Sequence, residues 1–184
     1  MSFSLFGKKE DNPADHIFTD RAYVSTAAKM NACMELAKKE PDHLFIGWFA
    51  DTVRKFKEFF MQHGIDESRV TEARYIHTPM LQNKIPVFVE HHPFHAKEME
   101  LIKNWGAGNI IVFSALDEPL FKHFGSDKVI PLMKIMGMKE DDAIEHSMVS
   151  KSIIKGQEKI AALVSLEQSA NSQVEWMEKN ISKQ

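Results

Sequence analysis

His43-Leu44-Phe45-Ile46-Gly47-Trp48-Phe49 is the stretch on which the fold turns. It is a compact apolar run, bounded by Pro41-Asp42 on one side and Asp51 on the other. A run of that length and composition reads as a strand buried on both faces. Asp51 to His63 follows as a helix. Val53, Phe56, Phe60 and Met61 fall on one face and Arg54, Lys57 and Glu58 on another. Asp51 is placed to cap that helix, and Gly64 stands where a helix stop is expected. Strand, helix and glycine stop make half of a strand–helix–strand unit.

Working outward, the same alternation recurs. Upstream, residues 22–40 carry helical spacing at Met30, Cys33, Met34 and Ala37, and Pro41 ends that helix because proline bars the α region to the residue before it. Ile17-Phe18 is a short apolar stretch, and residues 1–15 mix charge, Gly and Pro as a flexible leader would. Downstream, Ala73 to His77 reads as a weak strand and Val87 to Glu90, entered through Pro86, as a stronger one. Residues 94–105 read as a helix with Met99, Ile102 and Trp105 as its apolar stripe. Gly106-Ala107-Gly108 then turns the chain into the apolar strand Ile110 to Phe113. Strands alternating with helices predict an α/β fold, a mostly parallel sheet with helices on both faces. From Asp117 the pattern is helical. Segments 117–124 and 127–136 are separated by Gly125-Ser126, and Gly137 closes the second. Residues 147–180 read as one long helix whose narrow stripe (Ile153, Ile160, Val164, Val174, Ile181) is broken by Glu167 and Asn171. That stripe suits a helix lying across a surface better than a strong coiled coil.

Composition narrows the function classes. The 184 residues are 43% hydrophobic and 27% charged, a globular balance that excludes disordered and disulfide-scaffold proteins. The formal charge is −3, from 23 basic and 26 acidic residues, which argues against gripping nucleic acid by bulk charge. Cys33 is the single cysteine and fits a reducing compartment. No apolar run approaches the length of a membrane span, and Met1 to Asp15 holds no signal-peptide pattern, so the expected location is the cytoplasm. Eleven Met and thirteen Phe against two Tyr point to a soft apolar core or contact surface.

Few motifs carry chemistry. There is no G-x-x-x-x-G-K-[ST] phosphate cradle and no G-x-G-x-x-G; Gly106-Ala107-Gly108 precedes a strand rather than a helix, the reverse of the dinucleotide arrangement. Glu90-His91-His92-Pro93-Phe94-His95 is the sharpest local oddity. Its three imidazoles and one carboxylate sit where a strand ends and a helix begins, so His91, His92 and His95 are candidate metal ligands or acid–base groups. The alternative is a loop in which the histidines cap the following helix. Cys33 lies mid-helix on the apolar face, a core position rather than a nucleophile, and no serine sits in a G-x-S-x-G turn.

The segment Ser114 to Ile160 reads SALDEPLFKHFGSDKVIPLMKIMGMKEDDAIEHSMVSKSIIKGQEKI. Its Ser114-Ala115-Leu116-Asp117-Glu118, Phe124-Gly125-Ser126-Asp127-Lys128-Val129, Met136-Gly137-Met138, Ile144-Glu145-His146, Val149-Ser150-Lys151-Ser152-Ile153 and Gln157-Glu158-Lys159-Ile160 come in fixed order. That order resembles the SecA preprotein-translocase ATPase where its second nucleotide-binding, RecA-like domain ends and its helical scaffold begins. Ile17-Phe18-Thr19-Asp20, His43 to Trp48, Gly64-Ile65 and His95-Ala96-Lys97-Glu98 resemble earlier parts of the same domain. The resemblance implies a P-loop NTPase-like module over residues 16–137 behind the 1–15 leader, and a helical extension over 138–184. It gives Phe124, Gly125, Ser126, Asp127, Glu145, His146 and Gln157 structural roles: Gly125 permits a reversal between helices, and Glu145 and His146 fasten a helix start.

The departures from that family set the functional expectation. Its T-N-M-A-G-R-G-T-D and Q-L-R-G-R-S-G-R-Q-G-D segments are absent from these residues, as is the first motor domain with its phosphate cradle. Arg21, Arg54, Arg69 and Arg74 are the only arginines, so none stands where the family places its finger, a group worth about 10³ to 10⁵ in rate. The expected protein is a SecA-like binding or regulatory protein with a protein partner, SecA itself or another translocation component, and no cofactor or catalytic ATPase. A metal-binding or acid–base enzyme on the histidine cluster is one alternative. A protein that self-associates through the helix from Ser147 is the other.

Overall fold

The computed structural model describes residues 17–106 and 109–181. The segment read as a leader, and Ala107-Gly108 of the expected turn, lie outside them. Five strands form one sheet: β1 (Phe18–Tyr23), β2 (His43–Gly47), β3 (Val70–Glu72), β4 (Ile85–Phe88) and β5 (Ile110–Ala115). Their order is β1-β5-β4-β2-β3, and every pairing is parallel. The α/β expectation holds.

Both faces of the sheet are covered. Phe45, Val87 and Phe113 point to one face, where helices α1 (Thr26–Lys39) and α2 (Ala50–Gln62) deliver Cys33, Ala37, Phe56 and Phe60. Leu44, Ile46, Phe88 and Val112 point to the other face, against helix α3 (His95–Ile102) and the 3-10 turn Ala73–Tyr75. Cys33 is fully buried, as its place in the stripe requires. A third apolar cluster closes the carboxyl end of the sheet. There Phe49 and Leu120 meet Ile160, Trp176 and Met177 from helices α4 (Pro119–His123), α6 (Ser147–Leu163) and α7 (Gln173–Asn180).

Several expectations are corrected. The helix over 22–40 starts at Thr26, because residues 18–23 form the edge strand β1, whose Asp20, Arg21 and Thr19 hid it from apolar patterning. The weak strand expected at 73–77 lies at Val70–Glu72, and a 3-10 turn takes its place. Asp51 does not cap α2. The cap residue is Phe49, which has no side-chain oxygen, and Asp51 pairs with Arg54 at 3.0 Å. The single helix over 147–180 is two helices. The chain leaves α6 at Val164 and re-enters helix at Gln173 under a Ser172 cap, so that Trp176 folds back onto the core. The break falls across the Glu167 to Asn171 interruption, and the stripe expected over 147–180 is not one continuous face.

β2 and β4 are neighbours, but the chain leaves β2 into α2 on one face and leaves β4 toward α3 on the other. Their carboxyl ends therefore diverge at a switch point, the place where sheets of this kind open a crevice.

Candidate functional site

The crevice is filled by the chain's own polar groups. Glu90, two residues past β4, turns its carboxylate onto the start of α2. Oε1 accepts from the amides of Trp48 (2.8 Å) and Phe49 (3.0 Å), and Oε2 from the Thr52 hydroxyl (2.8 Å). Gly47 permits the approach: a Cβ there would sit 2.9 Å from Val53 Cγ2 and 3.4 Å from Glu90 Oε1. Backbone amides leading into a helix attract acidic groups, and here the Trp48 and Phe49 amides just before α2 hold Glu90. Burial pushes its pKa up to about 7, against the pull of Lys29 nearby.

Lys29 lies on the apolar face of α1, four residues before Cys33, and is buried. Its Nζ donates to Val89 O at 2.6 Å and to a carboxylate oxygen of Glu118. Burial works against this ammonium, but Glu118 and Glu90 outweigh it and hold its pKa above the ordinary lysine value. Burial raises the Glu118 carboxyl despite Lys29. Asp117 takes the N-terminus of α1, accepting from Thr26 N at 3.0 Å and Thr26 Oγ1 at 2.7 Å.

The second cluster surrounds His91. Its Nε2 meets Asp20 of β1 at 2.7 Å and its Nδ1 meets Glu98 of α3 at 2.9 Å, with all three side chains buried. Burial alone would strip the ring of its second proton. The two carboxylates reverse that and raise the pKa well above the usual histidine value, so both nitrogens donate. Glu98 is lowered to about 2 because His91, His95 and Gln157 overcome the cost of its burial. Glu98 also accepts from the His92 amide (2.8 Å). Gln157 of α6 donates through Nε2 to Glu98 Oε2 (2.9 Å) and to His92 O (2.7 Å). Gln173 of α7 ties the loop from the other side, donating to His91 O at 3.1 Å and accepting from Leu120 N at 2.8 Å.

The three histidines do not converge on a common point. Both nitrogens of His91 are spent on carboxylates. His92 Nδ1 accepts from Phe94 N at 2.9 Å, which leaves the proton on Nε2, 3.5 Å from Glu167. His95 Nδ1 lies 3.3 Å from Glu98. Among the described residues no group of three or more His, Cys, Asp or Glu side chains is arranged to hold a metal ion. The candidate ligands His91, His92 and His95 are thus not brought together, and the contacts of His91 tie β1, the β4–α3 loop and α3 to one another.

The residues singled out by family resemblance spread over two places. Gln157 joins the ionic cluster. The Phe124 ring rests on Gly156 of α6, where a Cβ would lie 2.8 Å from Cε2. Gly125 has φ +82° and starts α5 (Ser126–Ile135), the buried Ser126 donates its hydroxyl to Leu116 O, and Asp127 is exposed in the first turn. His146 Nδ1 accepts from Met148 N at 3.1 Å at the head of α6, whereas Glu145 pairs with Arg21 at 2.9 Å. The fastening expected of two side chains falls to His146 alone. Sequence reading missed Asp20, Lys29, Glu118 and Gln173. A lysine in phase with Cys33 and Ala37 on an apolar stripe was the available signal for Lys29.

No family model matches the chain. Individual relatives match part of it. A 50-residue stretch is 46% identical to the protein translocase subunit SecA of Acinetobacter baumannii, and a 48-residue stretch is 50% identical to that of Psychrobacter cryohalolentis. A region of this chain is SecA-related. The SecA of Acinetobacter baylyi gives the same 46% over 50 residues. The match takes up 27% of this chain and only 6% of the A. baumannii SecA, so it speaks for a region and not for the whole translocase subunit.

Proposed function

We infer that this protein is a SecA-related binding or regulatory protein linked to protein translocation, and that its sheet-end crevice does not hydrolyse nucleotide. The observation that carries this reading is the Glu90 carboxylate seated on the amides of Trp48 and Phe49. A phosphate entering the switch point would find the Trp48 and Phe49 amides already engaged by a carboxyl oxygen. These residues also hold no glycine-rich cradle to supply other amides. The local SecA identity supports the link to translocation, and SecA or another translocation component is the proposed partner. No helix among the described residues is long and apolar enough to cross a membrane, which is compatible with a partner reached from the aqueous side.

The test is capture on the immobilised full chain from native cytosol, with purified SecA as a second bait. Recovery of SecA or other translocation components is expected; their absence from both overturns the partner assignment. Millimolar ATP or ADP is expected to leave the melting temperature unchanged. A rise overturns the argument that Glu90 keeps nucleotide out of the crevice, and phosphate release that co-purifies with the chain overturns the non-hydrolytic assignment.

A further inference from the structure

A cavity of about 240 Å³ opens beside the Lys29 cluster, between the first turns of α1 and α2 and the start of α7. Glu90, Asp117 and Glu118 all line it, with Lys29 at its wall and Lys55 exposed on its α2 side. In most parallel α/β sheets such a place suits an anion, because helix N-termini present free N–H groups. Donors at both places are already engaged. Asp117 takes the Thr26 amide at the start of α1, Glu90 takes the Trp48 and Phe49 amides that lead into α2, and Asn171 O takes the Asp51 amide. An added phosphate would find those donors engaged in a cavity lined by four acidic side chains, Asp51, Glu90, Asp117 and Glu118.

The balance of buried charge points the other way. Lys29 is one cation set against Glu118 and Glu90, and one of its protons is committed to Val89 O. Glu118 is 7% exposed, and its Oε2 is buried without a hydrogen-bond partner among the described residues. A buried carboxylate oxygen left without a donor is costly, and native structures rarely retain one. A ligand N–H carrying positive charge would supply both the missing donor and the missing charge.

We propose that this cavity is a binding site for a cationic nitrogen group, an ammonium or a guanidinium, received by Glu118 with Glu90 and Asp117 flanking it. The group is carried by a small free amine or by a basic side chain of a polypeptide. This inference shares with the reading above only the premise that the crevice is not a nucleotide-hydrolysing site. Translocation partners can be absent while amine binding stands, and the reverse.

The test is titration of the full chain, followed by calorimetry and by methyl resonances of Met30 and Val174, which line the same cavity. The probes are cadaverine for the free amine, and N-acetyl-lysine methylamide and N-acetyl-arginine methylamide for the side chain. The Nε-acetylated lysine derivative, which is neutral, is the control. Saturable binding of at least one cationic probe, with Met30 and Val174 shifting and the neutral control silent, is expected. Preference for cadaverine assigns a free amine, and preference for a capped residue assigns a polypeptide side chain. Glu118→Gln is expected to weaken binding at least tenfold. If that variant does not fold, the wild-type methyl shifts decide alone. The proposal is overturned if no cationic probe saturates up to about 10 mM, a concentration that detects even weak complexes. It is equally overturned if the neutral control binds as well, if shifts fall away from Met30 and Val174, or if a folded Glu118→Gln binds unchanged.

Discussion

Gln157 Nε2 donates to Glu98 Oε2 at 2.9 Å, and this bond joins α6 to α3 through the interior of the carboxyl-end cluster. Gln157 is fully buried and Glu98 nearly so. Gln157→Ala removes a donor from a buried carboxylate and a second bond to His92 O. The expected loss is about 1–3 kcal/mol in chemical denaturation, the cost of a buried polar group left short of a partner. Gln157→Glu is the sharper variant. It sets a second carboxylate against Glu98 and is expected to cost more than the alanine at pH 7, with the excess shrinking in acid as one of the pair takes a proton.

His91 is the keystone of the second tie. His91→Ala leaves Asp20 and Glu98 buried with no cation between them, and a loss of about 3–5 kcal/mol is expected. Adding Asp20→Asn and Glu98→Gln should recover part of that loss, because neutral groups tolerate burial better. Additive effects in the triple variant would show that the three side chains do not act as a unit. Titration with zinc or cobalt is expected to leave the wild-type melting temperature unchanged, since both His91 nitrogens are engaged.

How much of this was legible beforehand depends on the kind of residue. The strand His43–Gly47 and the helix after it were plain, because the buried Leu44, Phe45 and Ile46 are apolar and the period changes cleanly from strand to helix. β1 was hidden, because an edge strand carrying Thr19, Asp20 and Arg21 has no apolar alternation to read. The site was half legible. The histidine run drew notice by composition, but what it does is set by Asp20, 71 positions upstream of His91, and Gln157, 65 positions downstream of His92. No local pattern reports a partner at that distance. The same holds for Lys29, whose neighbours in sequence are apolar and whose counter-ion lies 89 positions on.

Acid and base should act on different members of these clusters. Glu98 is lowered to about 2, so the stability it contributes is present above its ordinary value and is lost as pH falls from about 4.5 toward 2. Glu90 is raised to about 7, so the folded state loses stability through this group as pH rises from about 4.5 to 7, by an amount on the order of 3 kcal/mol for a shift of that size. Glu90→Gln removes this dependence while keeping an oxygen for the amides of Trp48 and Phe49. The melting temperature of Glu90→Gln relative to wild type is therefore expected to rise between pH 5 and pH 8. A constant difference across that range would show that Glu90 titrates normally.

Phe124 and Gly156 give the last prediction. The ring lies where a Cβ at position 156 would be, 2.8 Å from Cε2 and 3.3 Å from Cζ. In Gly156→Ala the ring must move, since α6 is anchored by Ile153, Gln157 and Ile160, all buried. Phe124 is 44% exposed and has room to swing outward, so the cost should stay near 1 kcal/mol after the gain in helix propensity of alanine over glycine is set against the clash. Phe124→Ala alone should also cost about 1 kcal/mol, the lost burial of half a ring. In the double variant the clash is gone while the propensity gain remains. The pair should therefore be more stable than the sum of the single effects, by about 2 kcal/mol, the size of the relieved clash, in a double-mutant cycle read by urea denaturation. Strict additivity would mean that Phe124 does not lean on Gly156 in solution.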